Sequence, residues 1–233
     1  MQQFFIESIE DLQLSADQLH QCRKVLRMQE GDSIRLVDHM GNGVIATFLD
    51  DTLTQLKVQE SIVWAKKKYK LRIVASLIRS ERLEWMIQKA CECGVDEIVL
   101  YQSQHGVVRD FGKRSERKME RLNLIAKEAS EQSYRQYEVP VLGIATLNEL
   151  PQYQSDLNLY ADIGNQPHLI HVVDEATPSI TVLVGPEGGF SNDERVKFEA
   201  MGYRQVSLGD NVLRAETASI YICNIVSACE VIK

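Results

Sequence analysis

Short apolar runs that stop at turn residues alternate with helical segments over residues 71–233. The pattern predicts strands at residues 71–77, 96–101, 139–144, 157–163, 182–184 and 205–208. Apolar runs this short, bounded by glycine or polar residues, are typical of strands that are buried on both faces. Because helical segments separate these strands, we expect an α/β fold with a mainly parallel sheet.

Helical periodicity marks the segments between the strands. Ser80 is placed to cap a helix over residues 81–93, with Trp85 on its buried side. A longer amphipathic helix is predicted over residues 115–133, and an apolar helix is predicted to run from the second glycine motif to the end of the chain. We therefore expect helices to cover the sheet.

Residues 1–69 have a different pattern, in which short strands are separated by turn residues. Strands are predicted at residues 4–6, 33–37, 44–49 and 55–62. Asp17 is placed to cap a helix between the first two of them. Several short strands of this kind indicate a small β-barrel. The change of pattern predicts two domains, residues 1–69 and residues 70–233.

Two of the predicted strands stop directly at glycine-rich loops. Gly185-Pro186-Glu187-Gly188-Gly189 follows the first, and Gly209-Asp210-Asn211 follows the second. Such loops at the carboxyl ends of parallel strands let a ligand approach the backbone. A phosphate site is disfavoured, since neither loop contains a phosphate-binding motif and Glu187 would repel the anion. The alternative is a pair of tight connections that serve only the fold.

The segments LVGPEGGFS and LGDNVLRAETA resemble the paired motifs of the RsmE family. Members of that family are SPOUT-superfamily methyltransferases that use S-adenosylmethionine to methylate N3 of a uridine in 16S ribosomal RNA. The resemblance implies a C-terminal SPOUT domain containing an α/β trefoil knot and an N-terminal PUA-like β-barrel domain that helps to hold RNA. It implies that the cofactor is held by Ala161, Val184, Gly185, Glu187, Gly188, Gly189, Leu208, Gly209, Val212 and Leu213. Asp210 and Asn211 depart from the proline and arginine that are commoner in the family.

Arg214 and Glu216 directly follow the second loop and are the candidate catalytic residues. Uridine N3 must lose its proton before or during attack on the methyl carbon, so the site must favour the developing negative charge. Arg214 suits that role, while Glu216 could accept the proton or orient Arg214. The alternative for Glu216 is a carboxylate that only complements the dipole of the last helix.

Four residues outside the loops are candidate RNA contacts by the same resemblance. Arg23 and Arg27 lie in the N-terminal helical segment, and Glu131 and Arg135 lie in the stretch EASEQSYR. For Arg23 and Arg27, the alternative is that these exposed helix charges are only solvated. For Glu131 and Arg135, the alternatives are a subunit interface and a polar helix end. His105 stands where the family commonly has an arginine.

The net charge and the residue composition disfavour several classes of protein. The net charge of −7 argues against a protein that binds nucleic acid over a broad surface, but it allows a local basic patch. The chain has no apolar run near the ~20 residues of a membrane helix, and its first residues lack the pattern of a secretory signal. Five cysteines without metal-like spacing indicate free thiols in a reducing cytoplasm, and His168 and His171 have no third metal ligand nearby in sequence. We expect no metal.

The expected partners are 16S rRNA or the small ribosomal subunit, and a second copy of the chain. SPOUT-like knots pair through helices beside the cofactor loops, and the apolar last helix predicts a homodimer. Two functional alternatives stay open from the sequence. One is a SPOUT methyltransferase that acts on another RNA, and the other is a non-catalytic RNA-binding or ribosome-assembly protein with the same fold.

Overall fold

The computed structural model describes residues 1–173 and 177–232 and forms two compact units. Unit 1 consists of Met1–Lys66 and Ser130–Glu138, and unit 2 consists of Lys67–Ala129 and Val139–Lys233. The sequence pattern had placed the second segment of unit 1 in the C-terminal domain. No helix in the described part of the chain combines the length and the apolar character needed to cross a membrane.

The described residues of unit 1 contain a four-stranded sheet in the order β1-β2-β3-β4. Its strands are β1 (Gln2–Ile6), β2 (Ser33–Asp38), β3 (Gly43–Phe48) and β4 (Leu56–Ser61). β1 and β2 are parallel, and the other neighbours are antiparallel. Phe4, Ile34, Leu36 and Phe48 bury their side chains in one apolar cluster, which explains the apolar residues of these short strands.

Helix α1 (Ala16–His20) continues into a π-helical turn, Gln21–Val25. The prediction that Asp17 caps this helix is wrong, because Ser15 is the capping residue. The Ser15 hydroxyl accepts a hydrogen bond from the amide of Gln18, and the Gln18 side chain accepts one from the amide of Ser15. This reciprocal pair satisfies two amides at the helix start, whereas Asp17 lies within the first turn.

In unit 2 the described residues form one sheet of six parallel strands, in the order β10-β8-β9-β5-β6-β7. The strands are β5 (Lys70–Ser76), β6 (Glu97–Tyr101), β7 (Val141–Ala145), β8 (Leu157–Ala161), β9 (Ser179–Val184) and β10 (Arg204–Val206). The helices are α2 (Ser80–Glu92), α3 (Ser115–Gln132, which ends in unit 1), α4 (Asn192–Ala200) and α5 (Ala215–Ile232). Short 3-10 turns occur at Gly112–Arg114, Leu147–Tyr153 and Leu169–His171. The predicted parallel sheet is confirmed.

Successive residues of the central strands enter two different cores, because side chains alternate across a strand. Ile73 of β5 and Val182 of β9 belong to one cluster, which also contains apolar residues of α2 and α5. Val74 and Leu183 belong to the opposite cluster, which contains the aromatic residues Phe190, Phe198, Tyr160 and Tyr203. Burial on both faces is the physical reason that these strands are continuous apolar runs.

Two details of α2 differ from the prediction. The helix begins at Ser80, and the capping position is Arg79, whose side chain makes no capping hydrogen bond. Trp85 is 47% exposed, and the buried side of the helix is formed by Leu83, Met86, Ile87 and Ala90. The predicted helix is therefore present, but its buried face is rotated away from the tryptophan.

The apolar residues of α5 were the basis for predicting a homodimer, and the structure gives another explanation for them. Ile222, Val226 and Cys229 are buried within unit 2 itself, where they pack in the core that contains Ile73. Tyr221 is 38% exposed. The apolar character of the last helix is therefore explained by the core of a single chain, and it does not by itself indicate a subunit interface.

Candidate functional site

Three neighbouring strands of unit 2 end at the same edge of the sheet. Ala161, the last residue of β8, pairs with Val184 at the end of β9 and with Val206 at the end of β10. Because the three strands are parallel and in register, the loops that follow them leave the sheet side by side. Two of these loops are the glycine loops, so the fold brings the two sequence motifs together.

The three loops surround a cavity of about 120 Å³. Its described lining consists of Ala161, Asp162, Ile163, Val184, Gly185, Pro186, Glu187, Gly189, Phe190, Leu208, Gly209, Asn211, Val212, Leu213, Ala215 and Ala218. Nine of the ten residues predicted to hold the cofactor are in this set, and Gly188 is not. The other seven described lining residues were not predicted to hold the cofactor: Asp162, Ile163, Pro186, Phe190, Asn211, Ala215 and Ala218.

The first loop is held by a tight turn that requires glycine. The carbonyl of Pro186 accepts a hydrogen bond from the amide of Gly189 at 2.9 Å, and Gly189 has φ of +66°. A side chain at this φ is disfavoured in L-residues, so glycine is the residue that forms this turn without strain. The turn leaves backbone groups at the cavity surface, where they can bind a ligand.

Gly188 faces away from this cavity. A Cβ at Gly188 would lie 3.2 Å from the Cβ of His105, and its carbonyl oxygen lies 3.2 Å from His105 Nδ1. A carbonyl only accepts hydrogen bonds, so Nδ1 carries the hydrogen in this contact. Gly188 therefore connects the first glycine loop to the loop that follows β6.

The second loop is fixed at Gly209, which has φ of +108° and donates its amide to the Ser207 hydroxyl at 3.1 Å. Beside it, the Asp162 carboxylate accepts a hydrogen bond from Arg195 Nε at 2.6 Å. This hydrogen bond raises the pKa of the Arg195 guanidinium. The pair links the β8 loop to α4, so the charge of Asp162 is balanced where it meets the cavity.

Arg82, on the first turn of α2, contacts residues of both sequence motifs. Its Nη1 lies 3.1 Å from Glu187 Oε1 in the first loop, and its Nε lies 3.8 Å from Glu216 Oε1 on α5. No motif in the sequence distinguishes Arg82 from the other charged residues of α2.

Glu216 is buried beside Arg82 and does not line the cavity. Ala215 and Ala218, three residues apart on α5, share the face that lines the cavity, and Glu216 is rotated from that face by about 100°. Its Oε2 is buried and has no hydrogen-bond partner among residues 1–173 and 177–232. The carboxylate therefore faces α2.

Arg214 is exposed between two residues that line the cavity, Leu213 and Ala215. Its side chain makes no hydrogen bond or ion pair with the described residues of the chain, including Glu216. Arg214 thus presents an uncommitted guanidinium near the cavity, and Glu216 does not orient it in this structure.

Glu194 joins α4 to the loop after β6. It is fully buried, and its carboxylate accepts hydrogen bonds from the Tyr101 hydroxyl at 2.8 Å, the Gln104 amide at 3.0 Å and the Ser191 amide at 2.8 Å. Burial and the neighbouring carboxylate raise the pKa of Tyr101, so the phenol stays neutral and donates. Ser191 and Glu194 also form a reciprocal capping box at the start of α4.

The four predicted RNA contacts all belong to unit 1. Arg23 donates to the carbonyl of Thr52, and Arg27 is exposed with φ of +53°. Glu131 is buried and accepts a hydrogen bond from the amide of Phe5 at 3.1 Å, which fixes β1. The carbonyl of Arg135 accepts from the side chain of Gln3. Glu131 thus has an internal structural partner, whereas Arg27 presents its charge to solvent.

A metal site is not evident in the part of the chain that the structure describes, since no three His, Cys, Asp or Glu side chains lie together there. His168 Nε2 lies 3.3 Å from the hydroxyl of Tyr221, and the rings of His168 and His171 are 6.4 Å apart. His168 therefore contacts α5 through Tyr221, and His171 contacts His168.

Comparison with known proteins supplies an independent line of evidence. The family model of the RNA methyltransferase domain matches residues 65–227. The chain is 29% identical over 247 residues to ribosomal RNA small subunit methyltransferase E of Bacillus subtilis, with 97% of this chain and 96% of the relative covered.

Two solved structures share the fold over nearly their whole length. A probable rRNA-methyltransferase from Porphyromonas gingivalis has a TM-score of 0.82 at 27% identity, with 99% of each chain covered. A ribosomal RNA small subunit methyltransferase E from Neisseria gonorrhoeae, bound to S-adenosyl methionine, has a TM-score of 0.85 at 23% identity, with 98% of each chain covered. The predicted fold class is confirmed: an α/β SPOUT domain with a PUA-like N-terminal domain.

Proposed function

Because the chain belongs to the RNA methyltransferase domain family, we propose that it transfers a methyl group from S-adenosylmethionine to N3 of a uridine in 16S rRNA of the small ribosomal subunit. The observation that carries the proposal is the cavity at the ends of β8, β9 and β10, which is built from both sequence motifs. The relative from Bacillus subtilis, which aligns with nearly the whole chain, is named for methylation of small-subunit ribosomal RNA.

The chemistry of the cavity suits this cofactor. Its lining offers backbone groups and apolar side chains, which can hold an adenosyl group, and neither lysine nor arginine is among its described residues. Two carboxylates, Asp162 and Glu187, lie in the lining. Arg195 and Arg82 balance these two charges, and the described lining offers no cation of its own, so a phosphate is disfavoured as the ligand. When bound, S-adenosylmethionine supplies an electrophilic methyl group.

Arg214 is proposed as the catalytic residue. A uracil that loses its N3 proton gains negative charge on its carbonyl oxygens, and a guanidinium stays charged while offering donors in a fixed plane. Arg214 is exposed beside the cavity and has no competing partner among the described residues. These properties support a role in stabilising that charge.

Glu216 is proposed to act through Arg82. It is buried, lies outside the face of α5 that lines the cavity, and contacts the guanidinium that also contacts Glu187. A carboxylate in this position can hold Arg82 in place for the first loop. We therefore assign Glu216 to the positioning of the loop, and the acceptor of the N3 proton is another group or solvent.

A homodimer is part of the proposal. Ile163 and Val212 line the cavity and are 74% and 77% exposed, so two large apolar side chains lie at its rim. Covering such side chains removes apolar surface from water, which favours association of a second copy there. A dimer mass is expected by light scattering at micromolar concentration, and a monomer mass would contradict the proposal.

Two experiments test the function. Calorimetry is expected to show binding of S-adenosylmethionine and of its product, S-adenosylhomocysteine. Mapping of modified nucleotides in ribosomal RNA from cells that lack the protein is expected to show loss of one N3-methyluridine, which the intact gene restores. Loss of a modification in another RNA would redirect the substrate, and unchanged RNA without cofactor binding would indicate a non-catalytic protein.

A further inference from the structure

Glu194 is a fully buried carboxylate that has no part in the proposed methyl transfer. It lies in the first turn of α4 and is not among the described residues that line the cavity at the ends of β8, β9 and β10. Burying a carboxylate costs free energy unless hydrogen-bond donors surround it. The donors that surround Glu194 belong to two separate parts of unit 2, so the carboxylate joins those parts.

One oxygen of Glu194 holds the end of the first glycine loop. The amide of Ser191 donates to Oε2 of Glu194 at 2.8 Å, and the Ser191 hydroxyl accepts from the amide of Glu194 at 3.1 Å. Phe190, which joins Ser191 to the glycines, is 2% exposed and lines the cavity. The position of this end of the loop therefore depends on Glu194.

The other oxygen of Glu194 holds the loop that follows β6. Oε1 accepts from the Tyr101 hydroxyl at 2.8 Å and from the amide of Gln104 at 3.0 Å. Tyr101 is the last residue of β6 and is fully buried, so this oxygen is anchored to the sheet. The hydrogen bond to Gln104 fixes the backbone directly before His105.

His105 leads from this loop back to the middle of the first glycine loop. Its Nδ1 donates to the carbonyl of Gly188 at 3.2 Å. The chain neighbours of Gly188, which are Glu187 and Gly189, both line the cavity. The first glycine loop is therefore held at its end by Glu194 directly, and at its middle by Glu194 through the backbone of Gln104 and the side chain of His105.

We propose that Glu194 and His105 are positioning residues, which fix the first glycine loop in the shape that binds S-adenosylmethionine. The inference rests on the proposed function and adds to it two residues that do not line the cavity. A loop that is already in its binding shape loses less conformational entropy when the ligand binds. The two residues therefore act on Kd for the cofactor, and the effect of losing them disappears when the cofactor is saturating.

The first test uses three variants of the loop that follows β6. His105→Ala removes the donor to Gly188 and is expected to raise Kd for S-adenosylmethionine about threefold, the scale of one exposed hydrogen bond. His105→Asn places an amide donor at the position of Nδ1 and should restore most of the affinity. Gln104→Ala is the matched control, because the amide and not the side chain of Gln104 donates to Glu194. Equal Kd values for His105→Ala and Gln104→Ala, or no recovery in His105→Asn, would overturn the role of His105.

The second test is Glu194→Gln. The side-chain nitrogen replaces one accepting oxygen, so one of the three donors then faces another donor. We expect Kd for S-adenosylmethionine to rise about tenfold, measured by calorimetry below the Tm of the variant. A lower Tm with unchanged Kd would show that Glu194 serves only the stability of unit 2, and this result overturns its positioning role.

A double variant tests whether the two residues act along one path. Once Glu194→Gln has released the loop after β6, His105→Ala should add less than its own threefold effect, so the combined rise in Kd stays below roughly thirtyfold. A combined rise equal to the product of the single effects would show independent action and overturn the shared path. If Glu194→Gln does not fold, Tyr101→Phe, which removes one donor to the carboxylate, takes its place in the same comparison and should give the same less-than-multiplicative result.

The wild-type protein is measured in parallel, so that the two proposals fail separately. Single-turnover methylation of unmethylated small ribosomal subunits at saturating cofactor should be the same in His105→Ala and the wild type, and a lower rate would contradict an effect on cofactor binding alone. A wild type that binds S-adenosylmethionine, together with variants of unchanged Kd, overturns the positioning roles alone. A wild type that does not bind S-adenosylmethionine overturns the proposed function, and the positioning roles with it.

Discussion

Arg82 Nη1 lies 3.1 Å from Glu187 Oε1, and this contact ties the first turn of α2 to the first glycine loop. The same guanidinium lies 3.8 Å from the buried Glu216 of the second motif. One cation that belongs to neither motif therefore links both. The side chains of Arg82 and Glu187 are 38% and 41% exposed, so water screens their attraction and its effect on the loop is modest.

Arg82→Ala is expected to weaken cofactor binding by up to roughly fivefold, the scale of an exposed ion pair. The reason is that the first loop loses its link to α2, and Glu216 loses its neighbouring cation. Calorimetry with S-adenosylmethionine measures the change, and Arg82→Lys should restore part of it. Arg79→Ala removes an exposed cation from the start of the same helix and is the control. Equal affinities of the Arg82→Ala and Arg79→Ala proteins would show that the link is unimportant.

Arg214→Ala is expected to lower the rate of methyl transfer by roughly a hundredfold or more, the scale for loss of one donor that stabilises a developing oxyanion. Folding and cofactor affinity should stay nearly unchanged, because the side chain has no partner among the described residues. Arg214→Lys should recover only part of the rate, since lysine supplies the charge without the planar fork. Single-turnover kinetics on unmethylated subunits provide the measurement. A collapse of cofactor affinity with unchanged turnover at saturation would place Arg214 in the cofactor site instead.

Gly188 and Gly189 are expected to respond differently to alanine. Gly189 lines the cavity at φ of +66°, so Gly189→Ala should lower cofactor affinity roughly tenfold, the scale of the left-handed strain. At Gly188 the added Cβ would meet His105 at 3.2 Å and would stay outside the cavity, so cofactor affinity should change little. The family resemblance implied that Gly188 holds the cofactor, and the small effect is expected because Gly188 is not part of the described cavity lining. Calorimetry with S-adenosylmethionine measures the affinity of both variants. Equal losses of cofactor affinity in Gly188→Ala and Gly189→Ala would contradict this prediction.

Stability is expected to fall at acidic pH through Glu97. Burial by itself would raise the pKa of this carboxyl, but hydrogen bonds from Lys70 and Arg72 hold the pKa below its ordinary value. The folded state then binds fewer protons than the unfolded state, so this stabilisation is complete above the ordinary pKa of about 4.3 and is lost as pH falls below it.

Urea unfolding at pH 7 and pH 4 measures this effect. The free energy of unfolding should drop more between the two pH values in the wild type than in Glu97→Gln, which has no proton to bind. Glu120→Gln, at an exposed position on α3, should behave as the wild type does. Identical pH dependence in all three proteins would rule out the contribution of Glu97.

The sequence by itself determined the parallel sheet and the two strands that end at glycine loops. Strands buried on both faces must be continuous apolar runs, and the predicted runs that end at Val184 and Leu208 are followed directly by glycines. These relations between sequence and structure involve residues that are close in the chain, so they can be recognised from the sequence alone. The family resemblance named ten cofactor residues, and nine of them line one cavity. Neither the resemblance nor a local rule shows that Gly188 contacts His105.

Only the tertiary structure decided which distant residues complete the site. Arg82 contacts Glu187 across 105 positions of the chain, and Glu131 contacts Phe5 across 126. Contacts between residues so far apart produce no periodic pattern in the sequence. Whether two such side chains meet depends on how their separate elements pack together. The same reason applies to Glu216, whose sequence position suggested catalysis. The rotation of α5 instead buries its carboxylate against α2, while Ala215 and Ala218 face the cavity.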